Sequence, residues 1–152
     1  MAPAPNLYHQ EIVWNLSQIF GRYLGANAVG KVYLAPCDVY LSAHDVFQPD
    51  VLFIAKPRLN IRKEDGVHGA PDLVIEILSL STALLDAKTK RALYARAGVK
   101  ELWIVDPTLH QIHLYDFARD PAKAVRLIED HESFGSPLLP GLTVPAAEVF
   151  QR

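Results

Sequence analysis

One cysteine, Cys37, is too few for an internal disulfide framework or a cysteine-rich zinc site. No apolar run approaches the ~20 residues that a bilayer-spanning helix needs. The stretch from Met1 to Leu7 lacks the basic-then-apolar order of a secretory leader, so a cytoplasmic protein is expected. No GxGxxG or P-loop glycine pattern occurs, which removes the usual signal of nucleotide-cofactor folds. No Gly-x-Ser-x-Gly elbow is present either. Aromatic residues make up only 9% of the chain and mostly sit in apolar strands or on core-facing helix positions, which disfavours a sugar-lined cleft. An excess of basic charge is also missing. The 15 Lys and Arg are outnumbered by 17 Asp and Glu, unlike a constitutive nucleic-acid coat protein.

What is present is ordinary globular material: 152 residues, 50% of them hydrophobic and 21% charged. A chain of this size buries roughly 70% of its unfolded surface, so residues 1–152 are read as one domain with its own core. The charge is uneven. Between Lys56 and Lys100 lie nine basic and five acidic residues, against six and twelve in the remainder. Such a basic middle can face phosphates, or it can be a solvated helix face plus a loop.

Asn6 is a good cap for a helix from Leu7 to Leu24, where Ile12, Leu16, Phe20 and Tyr23 recur at helical spacing and Gly25 is a natural stop. Short extended pieces follow at Lys31 to Ala35 and Asp38 to Leu41. Asp50 opens a compact apolar strand to Ala55, and Asp72 opens another to Leu78. The polar stretch between them, Lys56 to Ala70, reads as a mobile loop. Ser81 or Thr82 caps a second helix, which runs to about Ala97 and closes at Gly98. A strand from Leu102 to Pro107 then pairs as a hairpin with Gln111 to Tyr115. The tail from Leu138 to Phe150 is extended and ends in a short helical turn. Trp14 and Trp103 are expected in the core, and Cys37 as a small buried residue. Apolar strands beside helices imply an α/β fold with a mixed sheet rather than a doubly wound one.

Glu76 is the odd residue. Its neighbours in Leu73-Val74-Ile75-Glu76-Ile77-Leu78 are all apolar, and a carboxylate there is costly unless it is paired, hydrogen-bonded or metal-bound. If the two strands run antiparallel, the start of the first meets the end of the second and Asp50 falls near Glu76. Asp72 would then lie roughly 13 Å away along the strand, at ~3.3 Å per residue, while parallel pairing would reverse that ranking. Two close carboxylates repel each other, and a divalent cation removes the repulsion. Oxygen-only ligation by Asp and Glu suits Mg²⁺ or Mn²⁺. Asp86 and Lys90, four apart, share a helix face with Tyr94 one turn on. Lys90 can therefore reach such a centre, although Asp86–Lys90 is also an ordinary helix salt bridge. His9 and Glu11 start the first helix, where they can overhang a site or simply lie at the surface. His110 and His113 are spaced to opposite faces of a strand.

These residues resemble a known family. The segments Gln48-Pro49-Asp50-Val51-Leu52-Phe53 and Gly69-Ala70-Pro71-Asp72-Leu73-Val74-Ile75-Glu76-Ile77-Leu78-Ser79 are similar to the Uma-two family of restriction endonucleases. So are Asp86, Lys90, Tyr94, Ala97-Gly98-Val99, Glu101-Leu102-Trp103-Ile104-Val105-Asp106 and Leu139-Pro140-Gly141-Leu142. That family is placed in the PD-(D/E)XK nuclease superfamily. The resemblance implies a restriction-endonuclease-like mixed sheet flanked by helices, in the order helix, three-strand meander, helix, strand, strand. It implies metal binding by Asp50 and Glu76. Leu78 stands at the usual lysine position and Lys90 looks like a migrated lysine. Glu11 matches the extra first-helix acid of some members, and Asp72 and Asp86 would be supporting acids.

The function expected is a Mg²⁺- or Mn²⁺-dependent endonuclease acting on DNA, as a homodimer that places two sites on two strands. The alternatives are an inactive nuclease-like fold that binds nucleic acid or a protein, and a hydrolase using the two carboxylates as acid and base.

Overall fold

The computed structural model of the protein describes residues 6–79 and 83–152. Helix α1 spans Leu7–Ala26 and is followed by β1 (Gly30–Leu34), β2 (Val39–Tyr40), β3 (Val46–Phe47) and β4 (Val51–Ala55). A 3-10 helix (Lys56–Ile61) leads to β5 (Arg62–Lys63), β6 (Gly66–His68) and β7 (Leu73–Ile77). Helix α2 (Ala83–Ala97) precedes β8 (Glu101–Asp106), β9 (Gln111–Asp116), β10 (Arg126–Glu129), β11 (Ser133–Ser136), β12 (Leu139–Pro145) and the short α3 (Ala146–Val149). The caps expected at Ser81 or Thr82 lie outside the described residues.

The main sheet has the order β1-β4-β7-β8-β9-β10. All its pairings are antiparallel except β7 with β8, which α2 connects. β4 and, Glu76 excepted, β7 are apolar because both of their faces are covered. Val51, Phe53, Leu73, Ile75 and Ile77 pack toward α1, which supplies Ile12, Leu16, Ile19, Phe20 and Tyr23. Trp103 on β8 lies on this side, with its ring centroid 5.8 Å from Phe20 and 4.9 Å from Phe134. On the opposite face Val74, Leu102 and Ile104 pack against Ala87 and Tyr94 of α2. Gly98, with φ +100, lets the chain leave α2 in a conformation that a side chain would resist. α1 runs two residues past its expected end: the helix passes Gly25 and closes at Asn27, whose backbone N–H donates to Tyr23 O.

Three expectations are corrected here. The stretch 56–70 is an ordered 3-10 helix and β-hairpin rather than a mobile loop. Its few apolar residues, Leu59, Ile61 and Val67, join Val39 in covering Leu52 and Ile54, and this burial outweighs the polar composition. The hairpin joins β2 and β3 in a small sheet of order β3-β2-β6-β5. Gly66 (φ +146) makes the junction, since a Cβ there would sit 2.4 Å from Asp38 O. Gly66→Ala is therefore expected to cost about 1–3 kcal/mol. A urea midpoint unchanged from wild type would refute that.

Trp14 is the second correction. It is 64% exposed, because it falls off the stripe that buries Ile12, Leu16 and Tyr23. Cys37 is half-buried rather than enclosed. The hairpin of β11 and β12 with α3 closes the α1 side of the core through Phe134, Leu139, Val144, Val149 and Phe150.

Candidate active site

Val51 pairs with Ile75 in the antiparallel β4–β7 ladder. Asp50 is thus one step beyond the last pair, in line with Glu76. Its Oδ2 accepts a hydrogen bond from Ile77 N–H at 2.7 Å and so takes over the ladder's end. Its Oδ1 lies 3.2 Å from His9 Nε2. A carboxylate has about four acceptor sites, so one amide and one imidazole leave capacity on both oxygens.

Glu76 points to the α2 face of the sheet, where α2 supplies its described hydrogen-bond and ion-pair partners. Tyr94 OH donates to Glu76 Oε1 at 2.6 Å in a buried hydrogen bond. Lys90 Nζ lies 3.9 Å from the same oxygen and 3.7 Å from Asp86 Oδ2. The spacing of Asp86, Lys90 and Tyr94 gives one helix face, and that face meets Glu76. Burial pushes the Glu76 carboxyl up to about 7; Lys90 and Tyr94 work against this rise, and the charges of Asp50 and Asp86 add to it. Burial, then Glu76, raises the Tyr94 phenol, which stays a donor. Leu78, two residues on, is half-buried, and Lys90 brings an ammonium group to Glu76 from the helix.

Asp72 stands at the other end of the same strand pair. Its side chain is fully buried; Oδ2 accepts from Ala55 N–H at 2.7 Å and meets Arg58 at 3.2 Å, while Oδ1 lies 2.8 Å from Lys100 Nζ. Burial alone would raise this carboxyl, but Lys100, the Ala55 amide and Arg58 together hold it below the ordinary range. Asp72 is thus separated from Glu76 along β7 and neutralised by its own cations. The basic middle of the sequence is divided accordingly, with Arg58 and Lys100 at the Asp72 end and Lys90 at the Glu76 end.

Glu11 is not brought to Asp50. It lies two residues past His9, about 200° round the helix, and pairs with Arg152 at 3.3 Å. His9 was the less obvious residue. Its sequence signal is its place on the buried stripe of α1, three residues before Ile12 and seven before Leu16. His110 has φ 52 in the β8–β9 turn and stacks on Phe150.

Among the described residues, no group of three or more His, Cys, Asp and Glu is placed to cage a metal. Two carboxylates with spare acceptor capacity still fit a Mg²⁺-type ion, which normally takes one or two protein carboxylates and fills its shell with water and phosphate. A groove of about 560 Å³ opens between α1, β1 and the 3-10 helix, toward the Lys56 end of β4, lined by Phe20, Leu24, Val32, Leu59, Lys31 and Lys56. It includes none of the residues around Glu76 and plays no part in the site's chemistry. Among the described residues, no helix is long and apolar enough to cross a membrane.

No curated protein matches the chain. The fold is similar to that of a crystal structure described as a "putative nuclease belonging to DUF820 from Anabaena variabilis", with a TM-score of 0.80 and 17% identity, covering 97% of this chain and 83% of that one. That likeness shows the shared architecture, a mixed sheet flanked by helices. The family model of Uma2, described as "Putative restriction endonuclease", matches residues 1–147, and the chain belongs to that family.

Proposed function

We propose that the protein is a metal-dependent nuclease that hydrolyses phosphodiester bonds in DNA. One observation carries the reading: a nearly buried carboxyl, Glu76, lies in line with Asp50 across two strands, and the Lys90 ammonium approaches it from α2. The family description supports nuclease chemistry.

Asp50 and Glu76 would hold Mg²⁺ or Mn²⁺, which when bound supplies Lewis-acid activation of water and charge neutralisation at the phosphate. Tyr94 fixes the orientation of Glu76 through its 2.6 Å hydrogen bond. Asp86 holds Lys90 from the solvent side. Lys90 can orient the attacking water and offset negative charge as it grows on the phosphate. Asp72 supports the strands rather than the reaction. A cytoplasmic homodimer with DNA as its substrate completes the reading.

Supercoiled plasmid incubated with Mg²⁺ or Mn²⁺ tests it. Wild-type protein should nick or linearise the plasmid, Asp50→Asn should lose cutting, and Lys90→Met should cut about 10²–10³-fold more slowly while still binding the ion. Equal cutting by Asp50→Asn and wild type would overturn the assignment. Leu78 favours one other reading, a binding module that does not cut. It predicts salt-sensitive DNA binding that needs no metal and survives both substitutions.

A further inference from the structure

We infer that His9 is a positioning residue that locks the Asp50 carboxylate for cation binding; the inference rests on Asp50 being a cation ligand. His9 is in the first turn of α1, where its backbone N–H donates to the Asn6 cap at 2.8 Å. Its side chain is 11% exposed, and a buried imidazole needs a polar partner. That partner is Asp50 Oδ1, 3.2 Å from Nε2. An ionised carboxylate only accepts, so Nε2 carries the proton and donates it. Ile77 N–H holds the other oxygen at 2.7 Å.

Two donors from two separate elements therefore fix both carboxylate oxygens, and the group cannot turn about its Cβ–Cγ bond without breaking one of them. With Nε2 engaged, His9 acts through Asp50 and touches neither ion nor substrate.

The first turns of α1 are held as firmly as the ring they carry. Tyr8 OH donates to Phe150 O at 2.7 Å and lies 3.2 Å from His110 Nε2. Asn15 Nδ2 donates to Val149 O at 3.0 Å and to Gln151 O at 2.8 Å. Arg152 lies over the Tyr8 ring, 4.2 Å from its centroid. These contacts set where the imidazole meets the sheet. Groups that orient metal ligands are typically worth about 10–100-fold in affinity.

The test is Mn²⁺ titration calorimetry without DNA on wild type, His9→Gln and His9→Asn, each checked by its urea midpoint. The Gln amide can place an N–H where Nε2 was, whereas the Asn amide is one methylene too short. His9→Gln should bind Mn²⁺ within about threefold of wild type, and His9→Asn about 10–100-fold more weakly. A purely structural role would move the urea midpoints without separating the two affinities. His9→Leu, which retains bulk and lacks a donor, gives a second measurement and should match His9→Asn. Wild-type affinity in both the Asn and Leu variants, or equal weakening by Gln and Asn, overturns the role of His9 alone. Absence of Mn²⁺ binding by wild type overturns the reading of Asp50 and the inference with it.

Discussion

Glu76→Gln is expected to stabilise the protein at pH 8 by about 3 kcal/mol and to remove its affinity for a divalent cation. The Glu76 carboxyl lies at about 7 in the folded protein against an ordinary value of 4.5, with burial as the main cause. Folding therefore takes up a proton between those two values. The sign follows from linkage: the stability from the protonated group is fully present below about 4.5 and is lost as pH rises through about 7. Each pH unit between the two values is worth about 1.4 kcal/mol, which gives the figure above. Gln keeps the acceptor for Tyr94 and carries no charge at any pH. Lys90 is not stranded by the change, since Asp86 still lies 3.7 Å from it. Urea midpoints of the two proteins should thus separate at pH 8 and converge near pH 4. Mn²⁺ at pH 8 should stabilise wild type alone and narrow the gap, because an ion that binds only the folded state shifts the equilibrium by mass action. Midpoints that coincide at both pH values would refute this account of Glu76.

Asp72→Ala should cost about 2–4 kcal/mol, by a different mechanism. The Asp72 side chain accepts from Ala55 N–H, and its main chain joins three strands: its N–H donates to Phe53 O, and its C=O accepts from Lys100 N and Glu101 N. Removing the carboxylate leaves the Ala55 amide unpaired and two cations, Arg58 and Lys100, without their acid. Asp72→Asn keeps an oxygen for the amide and should lose about half as much. Asp72 is held below its ordinary range, so its contribution is present above about 3.8, its ordinary value, and is lost as pH falls through the lowered value. Asp72→Asn and wild type should therefore converge in strong acid, while Asp72→Ala keeps the cost of the unpaired Ala55 amide. Equal losses for Ala and Asn at pH 7 would show that the Ala55 bond contributes nothing.

Much of the candidate site was legible because it depends on local pattern. Glu76 stands out within an apolar strand, and the spacing of Asp86, Lys90 and Tyr94 defines a helix face before any fold is known. Placing Asp50 near Glu76 required only the choice of antiparallel pairing, which the ladder shows. Other features depend on contacts far apart in the chain. His9 lies 41 residues from Asp50, so nothing local announces their pairing. The hairpin within 56–70 is polar, and the covered face of β4 is what orders it. β10 and β11 are four residues each, too short and too polar to show a clear alternation. Trp14 shows the opposite error: an aromatic residue beside a core stripe need not belong to it.

The β4–β7 pair ends in an aspartate at both extremities, and each closes the ladder by accepting a backbone amide proton. What differs is the local inventory of counter-ions. One terminus holds an arginine and a lysine and is already electrically settled. At the other, the described side-chain partner of Asp50 is an imidazole alone, and its neighbour Glu76 has a single ammonium nearby, shared with Asp86. Two structurally equivalent acids on one ribbon are thereby given opposite fates, one sealed by the protein's own cations and the other left short of positive charge. Transplanting an arginine from the sealed end to the open one would change that allocation without touching either aspartate.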